Sequence, residues 1–129
     1  MGLIFDETNN QLSGVVVSTP VGNSPILVTE GGYIRRLGGD ALSLSGGAYT
    51  LTVNGVIEND GVQNAVAISG PPGTSKITVG ETGTITSGNI GIFSSMGLTL
   101  SNKGNIFGGN EGVFATGGGN SISVTNSGH

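Results

Sequence analysis

The chain has 129 residues, a formal net charge of −4, 26 glycines and no cysteine. This length fits one domain, and the lack of cysteine excludes disulfide bonds and thiolate chemistry. Only four residues are Lys or Arg, so the basic cluster that a nucleic-acid partner requires is missing and we expect no such partner. Apolar residues make up 35% of the chain, which is enough to form an ordered core.

Short apolar-x-apolar segments recur along the chain at intervals of about 21–26 residues, a spacing typical of stacked repeat architectures. We take the second apolar residue of each segment as a reference and predict that Val28, Val53, Val79, Leu100 and Val124 stack in one column. The segments themselves are residues 3–5, 26–28, 51–53, 77–79, 98–100 and 122–124.

Each period holds two further apolar segments, separated by turns rich in Gly, Asn, Asp and Ser. One is marked by Ile34, Ile57, Ile85 and Ile106, and the other by Ala41, Val66, Ile92 and Val113. Such short strands bury their apolar faces only when coils stack about 4.8 Å apart in a parallel ladder. A glycine column at one corner indicates positive φ or close backbone approach: Gly32, Gly55, Gly83, Gly104 and Gly128.

The pattern predicts an all-β fold, a right-handed parallel β-helix (β-solenoid) of about five coils with three short strands each. We expect a single domain over residues 1–129, with a divergent first coil at 1–25, regular coils over 26–121 and the start of an incomplete coil at 122–129. A β-sandwich does not explain why similar residues return in every third segment. No apolar run is long enough to span a membrane, and the first residues lack the features of a signal peptide.

The segments at 98–109 and 122–128 both follow a strand with Asn-x-Gly, and the first continues to Ile106 and a Gly-Gly pair. These motifs resemble the repeats of bacterial secreted β-solenoid proteins, such as autotransporter-passenger-like adhesins and type I-secreted surface proteins. The resemblance covers about residues 26–129. It implies a parallel β-helix at the cell surface or outside the cell, or alternatively in a virion, because similar helices occur in phage tail proteins. They also occur in polysaccharide lyases.

Candidate catalytic residues are sparse. The one histidine is His129 and the eight acidic residues are scattered, so we predict a non-catalytic protein without cofactors. Glu58 and Asp60 supply carboxylate oxygens just before Gly61, as a calcium loop would; the alternative is an Asp-Gly turn. Arg35 and Arg36 fit an anionic sugar or, alternatively, an ion pair or a solvated pair.

Two outward-facing columns are candidate surfaces. Thr52, Thr78, Thr99 and Ser123 form a predicted flat hydroxyl ladder, which resembles the ladders of ice-binding solenoids; threonine is also an ordinary outward strand residue. In the third segment, alternation places Leu42, Ala67, Phe93 and Phe114 outward as an apolar interface. A register shift of one residue would instead bury both phenylalanines.

No amphipathic helix covers either end of the predicted coil stack, and a bare parallel edge is a template for pairing. Either the molecule stacks end to end, or the chain is a piece of a longer solenoid. We expect a structural or adhesive building block of a surface or extracellular filament, formed by end-to-end or lateral self-association into a homo-oligomer or filament. The alternatives are a tail-fibre-type or adhesin module that binds glycan, a polysaccharide lyase- or hydrolase-like enzyme, and an ice-binding solenoid.

Overall fold

The computed structural model describes residues 2–117 and 120–129, which contain strands and turns. Within these ranges no helix is long and apolar enough to cross a membrane. The strands are β1 (Leu3–Phe5), β2 (Val15–Val17), β3 (Ile26–Val28), β4 (Tyr33–Arg36), β5 (Leu42–Leu44), β6 (Thr50–Val53), β7 (Val56–Asn59), β8 (Asn64–Ile68), β9 (Thr74–Val79), β10 (Thr84–Ser87), β11 (Ile90–Ser94), β12 (Gly97–Asn102), β13 (Asn105–Gly108), β14 (Glu111–Ala115) and β15 (Ile122–Asn126).

The strands form three parallel sheets that run along a coiled chain. Sheet A has the order β1-β3-β6-β9-β12-β15, sheet B the order β13-β10-β7-β4, and sheet C the order β14-β11-β8-β5-β2. From β2 onward, every third strand returns to the same sheet, one coil further on; in the first coil the described residues form two strands, so β3 follows β1 in sheet A. The predicted β-solenoid of about five coils is confirmed.

Alternation along the strands places one set of side chains inside the coil. In sheet B, Ile34, Ile57, Ile85 and Ile106 are direct partners in successive strands. Ile34, Ile57 and Ile85 are fully buried, and Ile106 is partly buried against them. This column matches the prediction for the second segment, because an inward side chain can be covered only by its equivalent in the next coil.

The glycine column at the corner between sheets A and B is needed for close approach rather than for positive φ. A Cβ at Gly104 would lie 2.2 Å from the carbonyl oxygen of Gly83, and one at Gly83 would lie 2.1 Å from that of Val53. Neither glycine has a positive φ. Each corner thus lies directly against the backbone of the preceding coil, and a side chain there has no room.

The Asn-x-Gly motif closes this corner from inside. Asn102 is buried, and its Oδ1 accepts a hydrogen bond from the backbone N–H of Gly104 at 3.0 Å. Its Nδ2 donates to Oδ1 of Asn126 at 2.9 Å and to the carbonyl of His129 at 3.0 Å. The Asn102 side chain therefore accepts a hydrogen bond within its own corner and donates two hydrogen bonds to the next coil. In this way the buried amide has partners for its polar atoms.

The structure corrects the predicted reference column at one position. Val28, Val53 and Val79 are direct partners, but Val79 lies opposite Asn102, and Leu100 lies opposite Ile77. The prediction that Leu100 stacks on Val79 was wrong by two residues. A shift of two keeps every side chain on the same face of its strand, so the apolar pattern does not detect it.

A second correction concerns the third segment, at the corner that leads into sheet C. Ala41 and Leu42 are both fully buried, and Leu42 pairs with Val66. The same two-residue burial occurs at Ala65-Val66 in β8 and at Gly91-Ile92 in β11. Strict alternation fails where the chain bends, so the prediction that Leu42 faces outward was wrong: it is a core residue, and Ser43 takes the outward position.

Candidate functional site

The outer face of sheet C carries a mostly apolar column, which we call the outer stripe. Its members are register partners in successive coils: Val16, Ser43, Ala67, Phe93 and Phe114. Val16 is 66% exposed and Phe114 is 38% exposed. Phe93 is half-buried, so both phenylalanines reach the surface on the outer face, and the alternative register that buries them does not occur.

The two phenylalanines of the outer stripe contact each other. Their ring centroids are 5.8 Å apart and the ring planes differ by 17°, a stacked arrangement. The ladder fixes this spacing because Phe93 and Phe114 are direct partners. One face of the Phe93 ring is thereby covered, whereas Phe114, in the following coil, keeps an accessible face. Exposed aromatic surface of this kind is typical of contact surfaces.

The last coil, formed by β13, β14 and β15, exposes apolar side chains on both sheets A and B. Phe107 is 63% exposed, Val124 is 51% exposed and Ile122 is 42% exposed. A recess of about 170 Å³ opens at this end of the coil stack, lined by Leu100, Asn102, Ile106, Gly112, Val113, Val124, Asn126 and His129. The recess exposes side chains that correspond to buried core residues in the earlier coils.

The predicted hydroxyl ladder does not exist as a single column. Thr52 and Thr78 are partners, but Thr99 lies opposite Lys76 rather than Thr78. The ladder prediction was wrong at the step from β9 to β12, because a two-residue shift there moves Thr99 into a neighbouring column. Thr99 and Ser123 are partners, as predicted. Sheet A therefore presents two outward columns: Thr52, Thr78, Ser101 and Thr125 in one, and Thr50, Lys76, Thr99 and Ser123 in the other.

The second column was not among the predicted surfaces. A usable signal was present, because each of these strands holds one inward-facing apolar residue between two outward polar ones. The triplets are 50–52, 76–78, 99–101 and 123–125, with Leu51, Ile77, Leu100 and Val124 at their centres. Aligning the triplets by their central residues, rather than by the first strand residue, gives the observed register.

Arg35 and Glu58 form an ion pair on the outer face of sheet B. Arg35 Nη2 lies 2.8 Å and Nε 2.9 Å from the same carboxylate oxygen of Glu58, and the guanidinium lies 5.5 Å from the ring centroid of Tyr33. Hydrogen bonding with the Asp60 carboxyl group, assisted by burial, raises the pKa of Glu58 more than Arg35 lowers it. The ion-paired alternative for Arg35 thus holds, with Glu58 as the partner.

The candidate calcium residues lie beside this pair. The N–H of Gly61 donates to Oδ1 of Asn59 at 2.9 Å, which is the geometry of a local turn, and Glu58 is already engaged by Arg35. In the part of the chain that the structure describes, no group of three or more His, Cys, Asp or Glu side chains could hold a metal ion. The arrangement at Glu58 and Asp60 is that of a turn.

The raised pKa of Glu58 gives a pH prediction. The folded chain holds the Glu58 proton to a higher pH than the unfolded chain, so stability falls as the pH rises from the ordinary value of 4.5 through the higher folded pKa. We expect Glu58→Gln to remove this fall. Urea unfolding of both proteins across this pH range measures it, and an equal fall in the variant would contradict the assignment to Glu58.

Comparisons of the chain with protein-family models, with curated proteins and with solved structures found no match. The assignment of the fold therefore stands on the strand pairing within the described residues, and any function must be argued from the surfaces described above.

Proposed function

We propose that the chain is a non-catalytic structural or adhesive β-solenoid that forms a surface or extracellular assembly by self-association, end to end or laterally. The observation that carries the proposal is the apolar surface of the last coil, where Ile122 and Val124 are 42% and 51% exposed. Their equivalents in β12, Leu98 and Leu100, are buried. The same positions are thus core residues wherever another coil covers them.

The backbone supports association at the same place. β15 pairs with β12 and β14 with β11, and in the described residues the opposite edges of β14 and β15 have no strand partner. The outer edge of β13 is partly covered, because the N–H of Ile106 donates to the carbonyl of His129 at 2.9 Å. Exposed edges of parallel ladders pair readily with further strands. Apolar side chains and unpaired backbone groups therefore coincide on one end of the coil stack, which favours end-to-end association.

The outer stripe supports the lateral form of the proposal. Phe114 and Val16 are exposed on the same face of sheet C, and Ser43 and Ala67 between them are small. An extended, weakly polar stripe along a rod suits contact with the flank of a second rod. The stripe and the last coil meet at β14, so end-to-end and lateral contacts can occur in one assembly.

Sedimentation velocity over a concentration series tests the proposal. We expect the weight-average mass of the wild-type chain to rise with concentration, and Val124→Glu to weaken association by at least about tenfold, or 1.4 kcal/mol. Phe114→Glu tests the lateral contact in the same way. Val62→Glu is a matched control, because Val62 is 76% exposed in a turn of a middle coil. A wild-type chain that stays monomeric at every concentration would refute the proposal.

A glycan-binding module is the second candidate function, and one observation favours it. The outer face of sheet B combines the Tyr33 ring with the Arg35–Glu58 pair beside it, and Phe107, in the same column as Glu58 two coils away, is 63% exposed. Aromatic rings next to fixed charged groups suit a sugar ligand. The cell-surface location and the relationship to bacterial secreted solenoids belong to these proposals and rest on the sequence resemblance.

A further inference from the structure

The two outward columns of sheet A form one continuous surface, which we call the hydroxyl face. All of its members except Lys76 are Ser or Thr, and none of the four strands that carry it contains Asp or Glu. The face comprises Thr50, Thr52, Lys76, Thr78, Thr99, Ser101, Ser123 and Thr125. Every one of them is at least partly exposed.

The hydroxyl groups of this face are not used by the fold. Elsewhere in the chain, Ser75, Ser87 and Ser94 donate side-chain hydrogen bonds that hold corners together. Among the described residues, no side-chain hydroxyl of the hydroxyl face makes a hydrogen bond to the protein. These groups keep their donor and both acceptor sites for a partner outside the chain.

The backbone fixes the spacing of these hydroxyl groups. Members of one column lie on adjacent strands about 4.8 Å apart, and the two columns are two residues apart along each strand, about 6.6 Å. Threonine is restricted at χ1, and the residues beneath the face, Leu51, Ile77 and Leu100, are buried. The result is a stiff two-dimensional array whose repeat comes from the sheet itself.

Energetics decide what such an array can bind. A single hydroxyl gains almost nothing from a new hydrogen bond, because liquid water already satisfies it. A rigid array gains from many weak contacts at once, but only when the partner is itself periodic and can meet several hydroxyls together. A rigid partner with a repeating hydrogen-bonded surface therefore suits this array better than a small molecule or a flexible chain, which loses freedom on binding.

We propose that the hydroxyl face binds ice, an ordered lattice of water. Ice is neutral and offers donors and acceptors over a plane, which complements a face whose only formal charge is Lys76. A crystalline polysaccharide is the other periodic hydroxyl-rich solid, but sugar sites rely on aromatic rings and concave shape, and the hydroxyl face has neither. This activity goes beyond the self-association proposed above and does not depend on it.

An ice recrystallisation assay with the full chain tests the proposal. We expect the wild-type chain to slow the growth of ice grains, and Thr78→Lys, in the centre of the array, to raise the concentration required by at least about tenfold. Lys76→Thr, which completes the second column, should lower it. Thr84→Lys is the matched control, because Thr84 is a half-buried, outward threonine on sheet B and should leave the effect unchanged.

Each other outcome overturns the proposal. The proposal is refuted if ice grains grow as large with the wild-type chain as with an inert protein at the same concentration. An equal loss in Thr78→Lys and Thr84→Lys shows that the face is not responsible, and circular dichroism of all variants separates this from unfolding. Retention on microcrystalline cellulose that Thr78→Lys abolishes, without any effect on ice, assigns the face to polysaccharide instead.

Discussion

Replacing Gly104 with alanine is expected to destabilise the protein by about 3 kcal/mol, the upper end of the cost of overpacking a tight site. The new Cβ would lie 2.2 Å from the carbonyl oxygen of Gly83 and 2.4 Å from that of Gly80. Both are backbone atoms of the preceding coil, so no side-chain rotation relieves the clash. The two coils must separate locally, and urea unfolding followed by circular dichroism measures the loss.

Gly112→Ala is the control for this change. Gly112 lies in β14, and the nearest atom to an added Cβ is 3.7 Å away, an ordinary contact. Both variants reduce backbone freedom in the unfolded chain by the same amount, so their difference isolates the clash at the corner. Equal stability of the two variants would contradict the view that close coil-to-coil approach selects glycine at this column.

Leu42→Ala is expected to cost 2–5 kcal/mol, roughly the range for truncating a fully buried leucine. Leu42 is fully buried and stacks between Val15 and Val66, so its loss leaves a cavity beneath sheet C. Ser43→Ala, one residue further on, should change stability by less than about 0.5 kcal/mol, because Ser43 is on the outer stripe. Unfolding midpoints in urea compare the two directly.

The pair also tests the register of the third segment. If Leu42 faced outward, as simple alternation predicts, the two costs would be reversed in order. A large cost for Ser43→Ala together with a small cost for Leu42→Ala would therefore overturn the observed strand pairing of β5.

The fold could be predicted from the sequence because parallel stacking forces equivalent residues to recur. The isoleucine column from Ile34 to Ile106 has one strong apolar residue at a fixed place in each coil, and its partners follow directly. The register between β9 and β12 could not be predicted. Two registers, with Leu100 opposite either Ile77 or Val79, bury the same face of each strand. Asn102 distinguishes the two registers, because its buried amide finds its hydrogen-bond partners at the corner.

The candidate surfaces were predicted less well for two physical reasons. At the corner before sheet C the chain bends and buries two successive residues, so strict alternation misplaced Leu42 while Ala67, Phe93 and Phe114 kept their outward orientation. On sheet A the two-residue shift left every outward residue outward but changed its neighbours. The orientation of a side chain depends on alternation within its own strand, which can be read from a single segment. The identity of its neighbours depends on how successive coils align, which a single segment does not show.

The direction of the hydrogen bonds in the three ladders has a mechanical consequence. They run along the coil axis, and each coil is hydrogen-bonded to the coils directly above and below it. A force along that axis pulls neighbouring coils apart and breaks the hydrogen bonds of one coil-to-coil interface before those of the next. A pull across the axis shears many bonds together, so the rod resists sideways drag better than stretching.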